Sequence, residues 1–246
     1  MNILVTGATG FIGQHLIMSL RLTHEVHALI RPTTDINKLD GIYTFEFNDN
    51  IEELAQYMQD NKIEGVIHLA SLYIAEHKSG QIKDIILSNV YFGTALLEAC
   101  AKANIKWFIN TGTIWQNYNV APYSKEYCPV NLYAATKQSL IDIAKYYTET
   151  TDMKFCTLKL CDTYGPGDTR RKIFSLFKQI AETGETLDMS PGQQHTLKEL
   201  AEIYSKATGK KLNINWGGRE YRKREVMVPW KGKQLIGLKP SVIFKF

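Results

Sequence analysis

Ile3-Leu4-Val5-Thr6-Gly7-Ala8-Thr9-Gly10-Phe11-Ile12-Gly13 decides the fold. An apolar strand-type run ends at Thr6, three glycines follow at a spacing of three, and a helical pattern begins at once. Gly7 suits the tight turn, Gly10 the close approach of an anion, and Gly13 the packing of helix on sheet. The first N–H groups of a helix have no intrahelical acceptor, so they attract negative charge. A G-x-x-G-x-x-G string alone is weak. In the first strand-to-helix turn it predicts a dinucleotide pyrophosphate site lined by Gly7, Thr9, Gly10, Phe11, Ile12 and Gly13.

Outward from this turn, β-rich apolar runs alternate with amphipathic helical stretches. Val26 to Ile30, Tyr43 to Phe47, Gly65 to Leu69, Trp107 to Asn110 and Phe155 to Leu160 read as strands. Leu16 to Leu20, Ile51 to Gln59, Ile82 to Lys102 and Ala134 to Thr148 read as helices. Buried parallel strands joined by crossover helices give an α/β fold, a Rossmann-type doubly wound parallel sheet. Past Tyr164 the pattern changes to Gly and Pro turns, a basic cluster, and one clear helix from Leu197 to Thr208 closed by Gly209. The expected organisation is a dinucleotide-binding domain over residues 1–165 and a smaller C-terminal substrate-binding domain over 166–246.

The chain has 246 residues, 44% of them apolar and 22% charged, the balance of an ordinary globular protein. Its net charge of +4 is concentrated locally: Arg219, Arg222, Lys223, Arg224, Lys231 and Lys233 stand near the C-terminal end against two glutamates. Cys100, Cys128, Cys156 and Cys161 lack metal or redox-motif spacing, so they are expected to be reduced and mostly structural, with no metal bound. No secretory leader and no apolar run of about 20 residues is seen, so a cytoplasmic protein is expected, without a membrane or nucleic-acid partner.

Arg31 follows the second strand, where enzymes specific for NAD usually carry an acid for the ribose hydroxyls and those specific for NADP an arginine for the extra phosphate. NADP is therefore expected, NAD less so. Asp49, after the third strand, either bonds the adenine or caps the helix from Ile51. Tyr133 and Lys137 in Y-A-A-T-K share a helix face at spacing i, i+4. A neighbouring ammonium favours phenolate, so Lys137 is expected to lower the Tyr133 pKa and make it a general acid or base.

The chain resembles the extended short-chain dehydrogenase/reductase family, the NAD(P)-dependent nucleotide-sugar epimerases, dehydratases and reductases. The motifs are T-G-A-T-G-F-I-G at Thr6 to Gly13, H-L-A-S at His68 to Ser71, S-N-V at Ser88 to Val90, Tyr133 with Lys137, and Y-G-P-G at Tyr164 to Gly167. The resemblance implies that Leu69, Ala70, Ser71 and Asn89 lie along the cofactor, and that Lys137 also holds the nicotinamide ribose. It implies a catalytic hydroxyl four residues before an aromatic, which in T-G-T-I-W is Thr111, with Thr113 the fallback and a substrate-facing position.

Dehydratases of the family carry an Asp-Glu pair directly after the catalytic threonine, where this chain has Gly112 and Thr113. Its epimerase-reductases carry a cysteine at the position of Thr113. What remains is ketone reduction or 4-epimerisation, and Arg31 favours reduction. The Asp162 to Lys172 and Trp216 to Arg222 segments look most like CDP-linked 4-keto-deoxysugar reductases of bacterial polysaccharide synthesis. Asp162, Arg170, Lys172, Arg219 and Arg222 are then expected to hold the sugar nucleotide, the cations on its diphosphate. The alternatives are a 4-epimerase and a non-catalytic NADP-binding regulatory protein. The resemblance also implies a homodimer through the helices at Ile82 to Lys102 and Ala134 to Thr148. Family members carry some tens of residues between a turn like Ser190 to Gln194 and a helix like Leu197 to Tyr204. Here Gln194 meets His195 directly. The shortening is either a true deletion or a break in the chain; loss of a core strand should expose apolar surface, so a break is favoured at that junction.

Overall fold

The computed structural model describes residues 1–165, 167, 168, 170, 172–189 and 194–233, in two compact units. The first comprises Met1–Gln116 and Asn131–Cys161, the second Asn117–Val130 and the described residues from Asp162 onward.

In the first unit the chain runs β1 (Asn2–Thr6), α1 (Phe11–Leu20), β2 (Glu25–Ile30), β3 (Tyr43–Glu46), α2 (Ile51–Asp60) and β4 (Ile63–His68). It continues through α3 (Ile82–Ile86), α4 (Phe92–Lys102), β5 (Trp107–Thr113), α5 (Leu132–Thr150) and β6 (Lys154–Leu160). All six strands are parallel, in the order β3-β2-β1-β4-β5-β6. This is the doubly wound arrangement. The strand order reverses beside β1, and ligands bind beyond the carboxyl ends of the strands at that switch point.

Alternation along the strands divides the core in two. Leu4, Leu29, Val66 and Phe108 pack with Leu54 and Met58 of α2, Leu96 and Leu97 of α4, and Leu140 of α5. Ile3, Val5, Val26, Ala28 and Ile67 face the other way, onto Ile17 of α1. Asparagines start two of the helices. Asn50 accepts the Glu53 N–H at 3.1 Å and Asn131 accepts the Ala134 N–H at 2.9 Å, which fixes where α2 and α5 begin. Tyr133 and Lys137 thus fall on the first two turns of α5.

The stretch expected as one helix from Ile82 to Lys102 is helical throughout, but Leu87–Tyr91 between α3 and α4 forms a wider π turn. Ser79–Lys102 is also long and apolar enough, by length and composition, to cross a membrane, contrary to the sequence expectation. Here it is a core helix, with Leu96, Leu97, Ala99 and Cys100 fully buried. Of the cysteines, Cys100 alone is buried. Cys156 and Cys161 are exposed, so a structural role fits Cys100 best.

The second unit contains α6 (Ile173–Thr183), β7 (Leu187–Met189), α7 (Gln194–Thr208) and β8 (Ile214–Trp216), with β7 and β8 paired in parallel. Phe177 and Ile180 of α6 meet Ala201 and Tyr204 of α7 in its core. The sequence reading missed α6, although Gly184 closes it at φ 74° as Gly209 closes α7 at φ 69°. α7 begins at Gln194.

Candidate active site

The turn between β1 and α1 is built for a close ligand. Gly7 has φ +69°, and a Cβ on it would lie 2.7 Å from the Ala70 nitrogen; a Cβ on Gly13 would lie 2.1 Å from the Gly7 carbonyl oxygen. Neither position admits a side chain. Gly10 precedes the helix with no side-chain cap, and the first turn of α1 carries no acid. The helix start thus presents backbone donors and no opposing charge, which fits a dinucleotide pyrophosphate. Thr9 lies in this turn, and Phe11 and Ile12 open α1; the Thr9 carbonyl accepts the Gln14 side-chain amide at 2.8 Å.

Thr6 ties that turn to the end of β4. Its hydroxyl oxygen accepts the Ala70 N–H at 3.1 Å and lies 2.8 Å from His68 Nδ1. Burial, together with the positive charge of Lys137, holds His68 down to about pKa 3, so it is neutral. Leu69, Ala70 and Ser71 follow. The buried Asn89, from the π turn, takes the Leu72 N–H on Oδ1 at 2.7 Å and donates to the Leu72 carbonyl at 3.0 Å.

Lys137 is 2% exposed, and burial brings its pKa down to about 8. No ion pair to Lys137 occurs among the described residues. The expected action of Lys137 on Tyr133 is not seen. Burial pushes the Tyr133 phenol up, Ser71 opposes this through a hydrogen bond, and Tyr73 adds to the rise. Physically, both groups of the pair are desolvated, and the Lys137 charge acts on His68 instead. The Thr111 hydroxyl donates to the His68 carbonyl at 2.9 Å and is buried, so its hydrogen is engaged within the sheet. Thr113 differs. Its hydroxyl accepts the Trp115 N–H at 3.2 Å, and no acceptor among the described residues takes its hydrogen.

Arg31 is exposed just past β2; its backbone bonds Thr34 in a turn, and no carboxylate among the described residues pairs with its guanidinium. Asp49 is exposed at φ 66° and does not cap α2, because Asn50 does. The capping alternative for Asp49 is thereby removed.

The candidate phosphate cations lie in the second unit and are mostly committed. Arg170 donates to both Asp168 oxygens at 2.7 Å and to the Thr163 carbonyl at 2.8 Å. Burial would raise the Asp168 pKa, but the Arg170 hydrogen bonds and charge outweigh it and hold the carboxyl down. Lys172 pairs with Asp162 at 2.6 Å, which joins two predicted substrate contacts to each other. Arg222 pairs with Glu225 at 2.5 Å. Arg219 is exposed and has no ion pair among the described residues. The acids two, three and ten residues away are visible in the sequence; the sequence reading named Asp162 as a substrate contact but paired none of the three with its cation. A cavity of about 460 Å³ in the same unit is lined by Tyr164, Asp168, Lys172, Phe174, Lys178 and Tyr204, among others.

The sequence profile of the NAD dependent epimerase/dehydratase family matches residues 3–196. The CDP-abequose synthase of Salmonella muenchen is 26% identical over 264 aligned positions, covering 92% of this chain and 87% of that protein. The alignment is longer than the chain, so that relative carries residues with no counterpart here. The CDP-abequose synthase of Salmonella typhimurium is 32% identical over 174 positions, 69% of this chain and 56% of its own length. The crystal structure of Thermus thermophilus UDP-glucose 4-epimerase in complex with NAD shares the fold, with a TM-score of 0.78 at 20% identity over 99% of this chain and 95% of that one.

Proposed function

Because this chain belongs to the NAD dependent epimerase/dehydratase family, we propose that it reduces the 4-keto group of a sugar nucleotide with NADPH. The observation that carries this reading is the placement of Tyr133 and Lys137 on the opening turns of α5, with Lys137 buried unpaired among the described residues, in the unit that carries the glycine cradle. A desolvated, unpaired ammonium is costly and marks a working site. The nicotinamide, when bound, supplies the hydride. Tyr133 gives its proton to the alkoxide forming at C4, and Lys137 keeps positive charge near the site and holds the nicotinamide ribose. Thr113, whose hydrogen is uncommitted, donates to the C4 carbonyl oxygen; Thr111 supports the strand end beside it.

Gly7, Gly10, Gly13 and the first N–H groups of α1 hold the pyrophosphate. Asp49 bonds the adenine, and Leu69, Ala70, Ser71 and Asn89 border the cofactor. Arg31 is the ground for preferring NADP, although the solved 4-epimerase carries NAD. Three of the relatives are CDP-abequose synthases, which supports a CDP-linked deoxysugar. Arg219, the uncommitted cation, is the first candidate for its diphosphate, with Arg170, Lys172 and Arg222 behind it. Exposed Ile82, Ile86, Leu87, Tyr91 and Tyr146 support a homodimer through the α3, α4 and α5 helices.

The test is NADPH consumption with a panel of CDP-, GDP- and dTDP-linked 4-keto-6-deoxysugars. Turnover with at least one is expected, falling by about 10²- to 10⁴-fold in Tyr133→Phe with NADPH binding retained. Tight NADPH binding without turnover on any of them would instead identify a non-catalytic binder. Interconversion of C4 epimers without net consumption would identify a 4-epimerase.

A further inference from the structure

Three aromatic rings from different connections meet at the start of α5. Tyr73 comes from the segment leaving β4, Trp115 from the turn after β5, and Tyr133 from the first turn of α5 itself. Tyr73 stands between the other two. Its ring meets Tyr133 edge to face with centres 5.0 Å apart, and meets Trp115 at a tilt with centres 5.8 Å apart. Both spacings are those of favourable aromatic pairs. The backbone is pinned on either side of Tyr73: Asn89 holds Leu72 through its N–H at 2.7 Å and its carbonyl at 3.0 Å, and Asn131 donates to the Ala75 carbonyl at 2.8 Å. Tyr73 is nevertheless 48% exposed. Exposed rings are ordinary on a protein surface, but this one is fixed in place and stands against the candidate proton donor.

The amide side chains of the same elements are spent on the protein. Besides Asn89, Gln116 takes the Thr113 N–H at 2.9 Å and donates to Gln138 at 2.9 Å, and the Asn131 oxygen takes the Ala134 N–H at 2.9 Å. Each of the three amides thus uses both its oxygen and its nitrogen in holding the scaffold. Ring surface is what remains beside Tyr133. With the reacting C4 at the Tyr133 hydroxyl, a ring packed against Tyr133 borders the carbons next to C4. In a sugar nucleotide C1 carries the diphosphate, and C6 is the exocyclic carbon on C5, the neighbour of C4, so C6 projects farthest at that end. A C6 methyl gains by covering an exposed ring. A C6 hydroxyl would lose water there without an amide to replace it.

We propose that Tyr73, backed by Trp115, is a specificity-determining residue whose ring receives the C6 methyl group of a 6-deoxy sugar nucleotide and disfavours sugars hydroxylated at C6. This rests on the reading of Tyr133 as the proton donor to C4. The ring acts through its apolar surface, so the Tyr73 hydroxyl is dispensable. Because Leu72 and Ala75 are anchored, the ring is in position before the sugar arrives, and little ordering opposes its use.

The experiment uses pairs of ligands that differ only at C6. For turnover, kcat/KM with NADPH is compared between CDP-4-keto-6-deoxyglucose and CDP-4-ketoglucose; for binding alone, the Kd of CDP-6-deoxyglucose and of CDP-glucose is measured by calorimetry on the NADP-loaded chain. Both are run on the unsubstituted chain, Tyr73→Phe and Tyr73→Ser. The unsubstituted chain should favour the 6-deoxy member of each pair by about 10- to 100-fold, the range an apolar contact supplies against an added hydroxyl. Tyr73→Phe, which keeps the ring, should keep that ratio, and Tyr73→Ser should bring it close to one. A merely structural role for Tyr73 would slow or weaken both members alike and leave the ratio unmoved. A ratio near one in the unsubstituted chain, an unchanged ratio in Tyr73→Ser with the fold intact by circular dichroism, or its loss in Tyr73→Phe would each overturn the proposal. A Tyr73-dependent preference in Kd without turnover of either ketone would uphold the ring's role and sink the reductase reading instead. Turnover of both ketones with equal kcat/KM would do the reverse.

Discussion

Lys137 of the first unit and three cations of the second carry their charge in opposite ways. In the first, Lys137 is buried and unpaired among the described residues, and Tyr133 beside it is desolvated, with its pKa raised. In the second, Arg170, Lys172 and Arg222 each meet a carboxylate within ten residues in sequence. A neutralised cation costs little to keep and stabilises local structure. An unneutralised one persists against its own desolvation, which is the physical signature of a group retained for chemistry. The sequence named both sets as site residues; burial and pairing separate them.

The contrast breaks most visibly at Lys137. Lys137→Met should reduce turnover by about 10³-fold and stabilise the fold. Its native pKa of about 8 lies below the ordinary lysine value of 10.5, so the unfolded chain binds more protons between those values. The penalty is therefore full below pH 8 and fades as pH rises toward 10.5. Urea unfolding at pH 7 should show the Met variant more stable by about 3 kcal/mol, with the difference shrinking toward pH 10. A destabilised Met variant at pH 7 would mean that native contacts of the Lys137 ammonium outweigh its desolvation.

Arg170 should behave in the reverse manner. Arg170→Ala leaves the mostly buried Asp168 carboxylate without its fork, at a cost of about 1–3 kcal/mol in urea unfolding. Arg219→Ala should leave stability unchanged and raise KM for the sugar nucleotide severalfold. If Arg170→Ala raised KM as much without loss of stability, the division between paired structural and unpaired functional cations would fail in this unit. Smallest is Arg31. Arg31→Ala should reduce the preference for NADPH over NADH by about tenfold through loss of one charge-assisted contact, measured as the ratio of kcat/KM values.

Much of the first unit was legible because glycine spacing and strand alternation are local signals. Gly7, Gly10 and Gly13 follow β1 immediately, and Leu4 against Ile3 and Val5 alternates as a two-faced strand must. The second unit was harder. β7 and β8 have three residues each, too short for a period to register. α6 had a readable pattern, with Phe177 and Ile180 three apart and Gly184 at its end, but the neighbouring turns and basic residues obscured it. At the site, the residue types were legible and their states were not. Which hydroxyl is engaged, Thr111 or Thr113, depends on the His68 carbonyl 43 residues away in sequence. The desolvation of Tyr133 and Lys137 likewise comes from packing that no motif records.

The π turn at Leu87–Tyr91 has a consequence for length variation. A π turn is one residue more than an α-helix needs, so deleting a single codon within it would let α3 and α4 fuse into one regular helix at little cost in backbone hydrogen bonding. The helices on either side would keep their orientation, because the wider turn already absorbs the extra residue, and the residues within the turn would be repositioned. Asn89 would then swing off the Leu72 backbone while Leu96 and Leu97 stayed in the core. Such a deletion should yield a folded protein with a disconnected site. Survival of the fold under a change that silences the chemistry would make that extra residue, rather than any one side chain, the unit on which selection acts in this helix.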